Sequence, residues 1–170
     1  FTIYATELFS QFGVERIIRV GTAGALSPKV KVGDVIVATG AHTDSSMNQL
    51  RIPGVNFSAV ADFRLAAAAY QASQLEGAQA GGAVHLGTVI SRDHFYFTPQ
   101  GQAALARYGV LGVEMEAADL YGVAAEYDKQ ALAILTVSDH LLDHSSDMSA
   151  AERETRFTDS LRLAVAAAHS

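Results

Sequence analysis

Residues 15–24 read Glu15-Arg16-Ile17-Ile18-Arg19-Val20-Gly21-Thr22-Ala23-Gly24. The first part, Glu15 to Val20, carries Ile17, Ile18 and Val20 and predicts a buried strand. The strand runs into what reads as a glycine turn, Gly21 to Gly24. A charge at the end of an apolar strand is costly unless something pairs with it. Glycines beside it let the backbone approach an anion closely, and turn amides can donate to that anion. Arg19 would then supply the charge and Thr22 a hydroxyl. The spacing fits neither a phosphate-binding Walker loop nor a dinucleotide fingerprint. On this string alone, a plain turn with a structural ion pair explains the residues as well.

The pattern repeats on either side. A helix is expected over Thr2 to Phe12, stopped by Gly13. A strand is expected over Val35 to Ala38, with a polar continuation to Asp44, then a loop over Leu50 to Ser58. An alanine-rich helix should run from Ala59 to Leu75, closed by Gly77. The spacing predicts a strand over Ala83 to Ile90, a helix opened by Thr98-Pro99 and reaching Tyr108, and a short strand over Val110 to Met115. A helix over Glu116 to Tyr127, a strand over Ala131 to Val137 and an amphipathic helix over Ser149 to Ala168 complete the chain. Strands that are apolar on both faces and alternate with helices imply an α/β fold with a mainly parallel sheet between helical layers. Ligands of such sheets sit at the carboxyl ends of the strands.

Composition narrows the function. The chain has 170 residues, 49% of them hydrophobic and 18% charged, a globular balance for one domain. The net charge of -6, without any Lys/Arg block, argues against a nucleic-acid or anionic-membrane partner. An anionic substrate must instead be held by one or two placed cations. No cysteine is present, which excludes disulfides, thiolate catalysis and Cys-ligated zinc. No apolar run of membrane-spanning length and no signal peptide is seen. A cytoplasmic enzyme fits these features. The chain starts at Phe1 with a helix and no preceding strand, so a native N-terminal segment is expected to be missing.

Three further clusters sit at expected strand ends. Glu114 and Glu116 flank Met115 where a strand meets a helix. On a strand both would face one side, and one could accept hydrogen bonds from a diol such as a ribose. Acids near a helix N-terminus also simply oppose its dipole. Ser138-Asp139-His140 follows the strand ending at Val137. Asp139 could serve as a general acid if its pKa is raised, or it could be an ordinary turn or cap residue. His140, Asp143 and His144 resemble half a metal site, but no HExxH motif completes it, and no metal is expected. Glu152-Arg153 opens the last helix, from which Arg153 could reach Asp139 or lie solvated. Phe95-Tyr96-Phe97 could offer a face to a flat base or pack in the core.

Taken together, Arg19 to Ala25, Val113-Glu114-Met115-Glu116-Ala117-Ala118 and Thr136 to His140 resemble the bacterial, hexameric-type purine nucleoside phosphorylases of the nucleoside phosphorylase superfamily. Gly33-Asp34-Val35, Gly122 to Glu126 and Ala150-Ala151-Glu152-Arg153 extend the likeness nearly end to end. The resemblance implies a three-layer α/β sandwich whose mixed, mainly parallel sheet is partly closed into a barrel, as a single domain lacking its N-terminal part. It implies phosphorolysis of purine ribo- or 2′-deoxyribonucleosides to the base and the sugar 1-phosphate. Phosphate is then a co-substrate and no cofactor is needed. It implies Arg19 and Thr22 as phosphate ligands, Glu116 on the ribose hydroxyls and Met115 against the sugar. Phe95, Val113 and Glu114 become the base-pocket wall, Ser138 and Asp139 the purine-edge contacts. Asp139 becomes the proton donor to N7 and Arg153 its assistant. A homo-oligomer, a hexamer built as a trimer of dimers, is implied as well. The competing expectations are a nucleosidase of the same superfamily that uses water, and an inactive purine-binding form.

Overall fold

The computed structural model describes residues 1–75, 82–94, 98–143, 147–155 and 157–170. Helix α1 (Thr2–Gln11) leads into β1 (Arg16–Ala25) and β2 (Val35–Thr43). A short α2 (Met47–Arg51) and β3 (Ala59–Val60) precede α3 (Phe63–Leu75) and β4 (Val84–Ser91). Then follow α4 (Pro99–Arg107), β5 (Gly112–Glu114), α5 (Ala117–Glu126) and β6 (Gln130–His140), and α6 (Ala150–Thr155) and α7 (Thr158–Ala168) end the chain.

The strands form one mixed sheet in the order β3-β2-β4-β5-β1-β6, and a further β2–β6 pairing closes five of them into a barrel. The long registers, β1 with β6 and β2 with β4, are parallel. The β1–β5, β2–β3 and β2–β6 pairings are antiparallel and shorter. The period-two alternation of side chains divides the core. Val35, Val37, Leu132 and Ile134 face α3 and α7, where Leu65, Ala69, Leu163 and Ala167 cover them. Ile36, Ala38, Ala133, Leu135 and Val137 face the other way, onto Leu120, Tyr121 and Val123 of α5, with Ala5 and Phe9 of α1 in the same core. Burial on both faces is what makes the strands read as continuous apolar runs.

Tyr121 fastens the barrel closure. Its hydroxyl donates to Ala38 O at 2.5 Å and accepts from Ala133 N at 3.0 Å. Ala38 and Ala133 are the last pair of the β2–β6 register, so the phenol extends that ladder by one rung. Burial pushes the phenol pKa far up, which keeps it a donor.

Four expectations need correction. The glycine turn at Gly21 to Gly24 is not a turn: β1 continues to Ala25, because its parallel ladder with β6 runs on past it. Likewise Ser138, Asp139 and His140 belong to β6 rather than to a loop after it. A bulge there pairs Ala23 with Val137 and Gly24 with Asp139, leaving Ser138 as the extra residue. The helix expected from Ala59 starts at Phe63. Ala59 and Val60 pair with Gly40 and Ala41, and Asp62 Oδ1 then accepts from Leu65 N at 3.0 Å to open α3. The last helix is two helices. The core contacts come from the second of them, α7, through Leu163, Ala164 and Ala167. Ser149 and Glu152 form a capping box at the start of α6, with Ser149 N donating to Glu152 Oε2 at 2.9 Å and Glu152 N to Ser149 Oγ at 3.3 Å.

Candidate active site

A cleft of about 400 Å³ opens where β1, β4, β5 and β6 end. Arg19, Thr22, Val113, Glu114, Met115, Glu116, Ser138, Asp139 and Arg153 all line it. Phe95, the remaining expected site residue, lies outside the described residues, as does His144. A second cavity, about 410 Å³ beside β2 and β3, is lined among the described residues by no Asp, Glu, Lys or Arg side chain. The first cleft carries three arginines, Arg19, Arg92 and Arg153, in a chain whose net charge is -6.

Each charged group owes its place to the strand ends. Arg19 points along β1 over Gly21: a Cβ at 21 would stand 2.5 Å from Arg19 Nη1. The guanidinium reaches both acids of the Glu114-Met115-Glu116 triplet. Nη2 donates to Glu116 Oε2, and Nη1 stands 3.7 Å from Glu114 Oε2. Nη1 is buried and has no hydrogen-bond partner among the described residues.

The two acids diverge because α5 begins between them. Glu114 ends β5 and is buried. Its carboxylate accepts from Ser91 Oγ, from Glu116 N at 2.9 Å and from Ala117 N at 2.9 Å and 3.1 Å. It therefore anchors the N-terminus of α5 as well as lining the cleft. Burial pushes the Glu114 carboxyl pKa up, against the pull of Ser91, the Glu116 and Ala117 amides and Arg19. Glu116 holds the N-cap position and turns its carboxylate into the cleft, about a third exposed.

At the other flank, the β6 bulge buries Ser138 and aims Asp139 into the cleft. Ser138 Oγ donates to Asp139 Oδ1 at 2.6 Å. Gly24 makes room for the acid: a Cβ at 24 would meet Asp139 Oδ2 at 2.8 Å and Leu141 Cδ1 at 2.4 Å. Arg153 comes from α6, its Nε donating to Met148 O at 3.2 Å and its Nη2 standing 3.9 Å from Asp139 Oδ1. The sequence left Arg153 either reaching Asp139 or solvated; it stands at the edge of ion-pair range of Asp139 with its side chain 43% exposed. His140 makes turn contacts: its N donates to Asp147 Oδ1 and its Nδ1 accepts from Leu142 N.

Arg92, His94, Gln102 and Leu141 also line the cleft; Arg92 and His94 lie in the strand-end stretch Ser91 to Phe97, but none of the four has a role that the sequence assigns. Leu141 is one residue past Ser138-Asp139-His140, and Arg92 one residue past β4. Being next to a strand end was the one available signal.

Comparison with known proteins identifies the family. Residues 2–169 match the family model described as Phosphorylase superfamily. The chain is 52% identical over 171 residues to a "Purine nucleoside phosphorylase DeoD-type" from Myxococcus xanthus (strain DK1622), across 99% of this chain and 69% of the relative. It is 47% identical to the protein of the same name from Haemophilus influenzae (strain PittEE), across 96% of this chain and 67% of that one. For the one from Colwellia psychrerythraea (strain 34H / ATCC BAA-681) the identity is 46%, across 95% and 68%. The chain thus spans about two thirds of the length of these relatives.

Proposed function

The chain belongs to the phosphorylase superfamily, and from that membership we propose that it cleaves purine nucleosides with inorganic phosphate, releasing the free base and (deoxy)ribose 1-phosphate. One observation carries the reading: Arg19 and Asp139 open onto the same cleft.

The proposed chemistry runs across that cleft. Phosphate sits on Arg19 and Thr22. The buried Nη1 of Arg19 has a donor to give, and Nη2 exchanges its contact with Glu116 for the dianion. Glu116, once released, takes the ribose hydroxyls and orients the sugar, with Met115 against its face. Val113 and Glu114 wall the base, and Phe95 joins them by resemblance. A phosphate oxygen attacks C1′ as the bond from C1′ to N9 breaks and its electron pair passes into the purine. Asp139, steadied by Ser138, delivers a proton to N7, and Arg153 moves in to assist. General acid catalysis of this kind is typically worth roughly 10²–10⁴-fold. Phosphate is a co-substrate in this scheme, and no metal or organic cofactor takes part.

Homo-oligomer formation, as a hexamer, belongs to the same proposal. Its support is the exposed apolar side chains on and just after α1, Ile3, Tyr4 and Phe12, each about 70% accessible. No helix among the described residues is long and apolar enough to cross a membrane. A cytoplasmic site of action is proposed from the co-substrates, nucleosides and inorganic phosphate.

The test is incubation with inosine, with and without phosphate, reading hypoxanthine and ribose 1-phosphate. Release that depends on phosphate supports the proposal. Release that ignores phosphate assigns the cleft to hydrolysis by water. Hypoxanthine binding without any release makes the chain a purine binder.

A further inference from the structure

Helix α5 meets the cleft with an N-cap residue whose side chain does no capping. Glu116 holds that position, makes no side-chain capping hydrogen bond among the described residues, and lines the cleft instead. The first four amides of a helix have no partner within it, and the N-cap side chain is the group that ordinarily supplies one. Here two other residues do so. Glu114 Oε2 accepts from Glu116 N and from Ala117 N, each at 2.9 Å, and Ser91 Oγ accepts from Ala118 N at 2.8 Å. Three of the four amides are thereby satisfied from the ends of β4 and β5.

Ser91 can do this because it is the register partner of Glu114 in the parallel β4–β5 ladder. Its hydroxyl has one proton to give and lone pairs to accept with. The proton goes to Glu114 Oε1, and a lone pair takes the Ala118 amide. Ser91 is 2% exposed and does not line the cleft, so it acts on a ligand only through its neighbours.

We propose that Ser91 is a positioning residue: by capping α5 together with Glu114, it leaves the Glu116 carboxylate free to hold the 2′- and 3′-hydroxyls of the nucleoside. This rests on the reading of Glu116 as the ribose ligand. Without the Ser91 hydroxyl, the buried Ala118 N has no acceptor, which is costly. The N-cap side chain is the group placed to supply one, and the positive end of the helix dipole favours the return of a carboxylate. Glu116 then turns from the sugar to its own helix.

Calorimetric titration in saturating phosphate tests the proposal, with 9-deazainosine and its 2′,3′-dideoxy form as ligands. Their carbon–carbon glycosidic bond is cut by neither phosphate nor water, so binding is read without turnover. The unaltered protein is expected to bind the diol more tightly than the dideoxy form. In Ser91→Ala that preference should fall roughly tenfold or more, the loss of a charge-assisted contact. Ser91→Thr keeps the hydroxyl and should keep most of the preference. Ser91→Cys offers only a weak acceptor, should lose it as Ser91→Ala does, and stands in where the alanine variant does not fold. A merely structural role weakens both ligands equally and leaves the preference unchanged, which overturns the proposal. Equal loss in Ser91→Thr and Ser91→Ala assigns the effect to packing and overturns it as well. An unaltered protein that does not favour the diol overturns the reading of Glu116, and the proposal with it. Diol preference without phosphorolysis of inosine counts against the reaction alone.

Discussion

The guanidinium of Arg19 lies over the Cα of Gly21, so closely that a methyl group there would stand 2.5 Å from Nη1 and 2.9 Å from Cζ. What gives way on substitution is the far end of a flexible side chain, not the backbone. Gly21→Ala therefore leaves β1 in its ladder with β6 and evicts the guanidinium. Stability should change by no more than about 1 kcal/mol. The KM for phosphate should rise roughly tenfold or more, the loss of a charge-assisted contact. Thermal melts and a phosphate titration at saturating inosine measure the two effects. A large stability loss with an unchanged phosphate KM would show that Gly21 serves the strand and not the site.

The same strand shows what was legible in the sequence and what was not. Apolar runs such as Leu132 to Leu135 announced buried strands, because both faces of this sheet are covered there, whereas Ile17 and Ile18 of β1 are only half-buried. Where those strands end was not legible. Gly21 and Gly24 read as turn residues, yet they are strand residues whose missing Cβ atoms make room for Arg19 and Asp139. A glycine that admits a neighbour's side chain and a glycine that turns the chain look alike until the neighbour is known. Arg92 sits in a strand-end stretch that was legible, but its role was not, for the complementary reason. Its partner Asp44 lies 48 residues away, beyond any local pattern.

Asp139→Asn separates proton delivery from the rest of the proposed reaction. The amide keeps the size of the group and its place beside Ser138, but has no carboxyl proton to pass on. kcat/KM for inosine and adenosine should fall by roughly 10²–10⁴-fold. A substrate already alkylated at N7, such as 7-methylinosine, leaves without protonation and should be spared. Steady-state kinetics on the three nucleosides decide it. An equal loss on all of them would remove Asp139 from the acid role.

Tyr121→Phe tests the barrel closure. The phenol is the partner of both Ala38 O and Ala133 N, and the replacement removes it without changing the ring. Two buried backbone groups then lack a partner, at about 1–3 kcal/mol for each group left unsatisfied. Urea unfolding should show that loss with the base-binding cleft intact, since Tyr121 does not line it. A variant as stable as the parent would mean that the β2–β6 ladder closes without its help.

Glu114 carries the pH prediction, and its sign runs opposite to that of most structural carboxylates. Burial raises its pKa above the usual 4.5, so the folded chain holds this proton more tightly than the unfolded chain does. Between 4.5 and the folded-state value, the native state binds more protons than the unfolded one. Stability from this group is therefore fully present below 4.5 and is lost as pH rises through the folded-state value. Each unit of elevation corresponds to about 1.4 kcal/mol. Glu114→Gln does not titrate and lacks that slope. Relative to the parent, the variant should gain stability as pH climbs from about 4.5 toward neutrality, whatever fixed cost it pays for facing the Glu116 and Ala117 amides. Parallel urea melts at half-unit pH intervals resolve the slope. A variant that loses ground as pH rises would mean that Arg19 and the α5 amides outweigh burial, and that Glu114 anchors the helix as a carboxylate favoured over its acid.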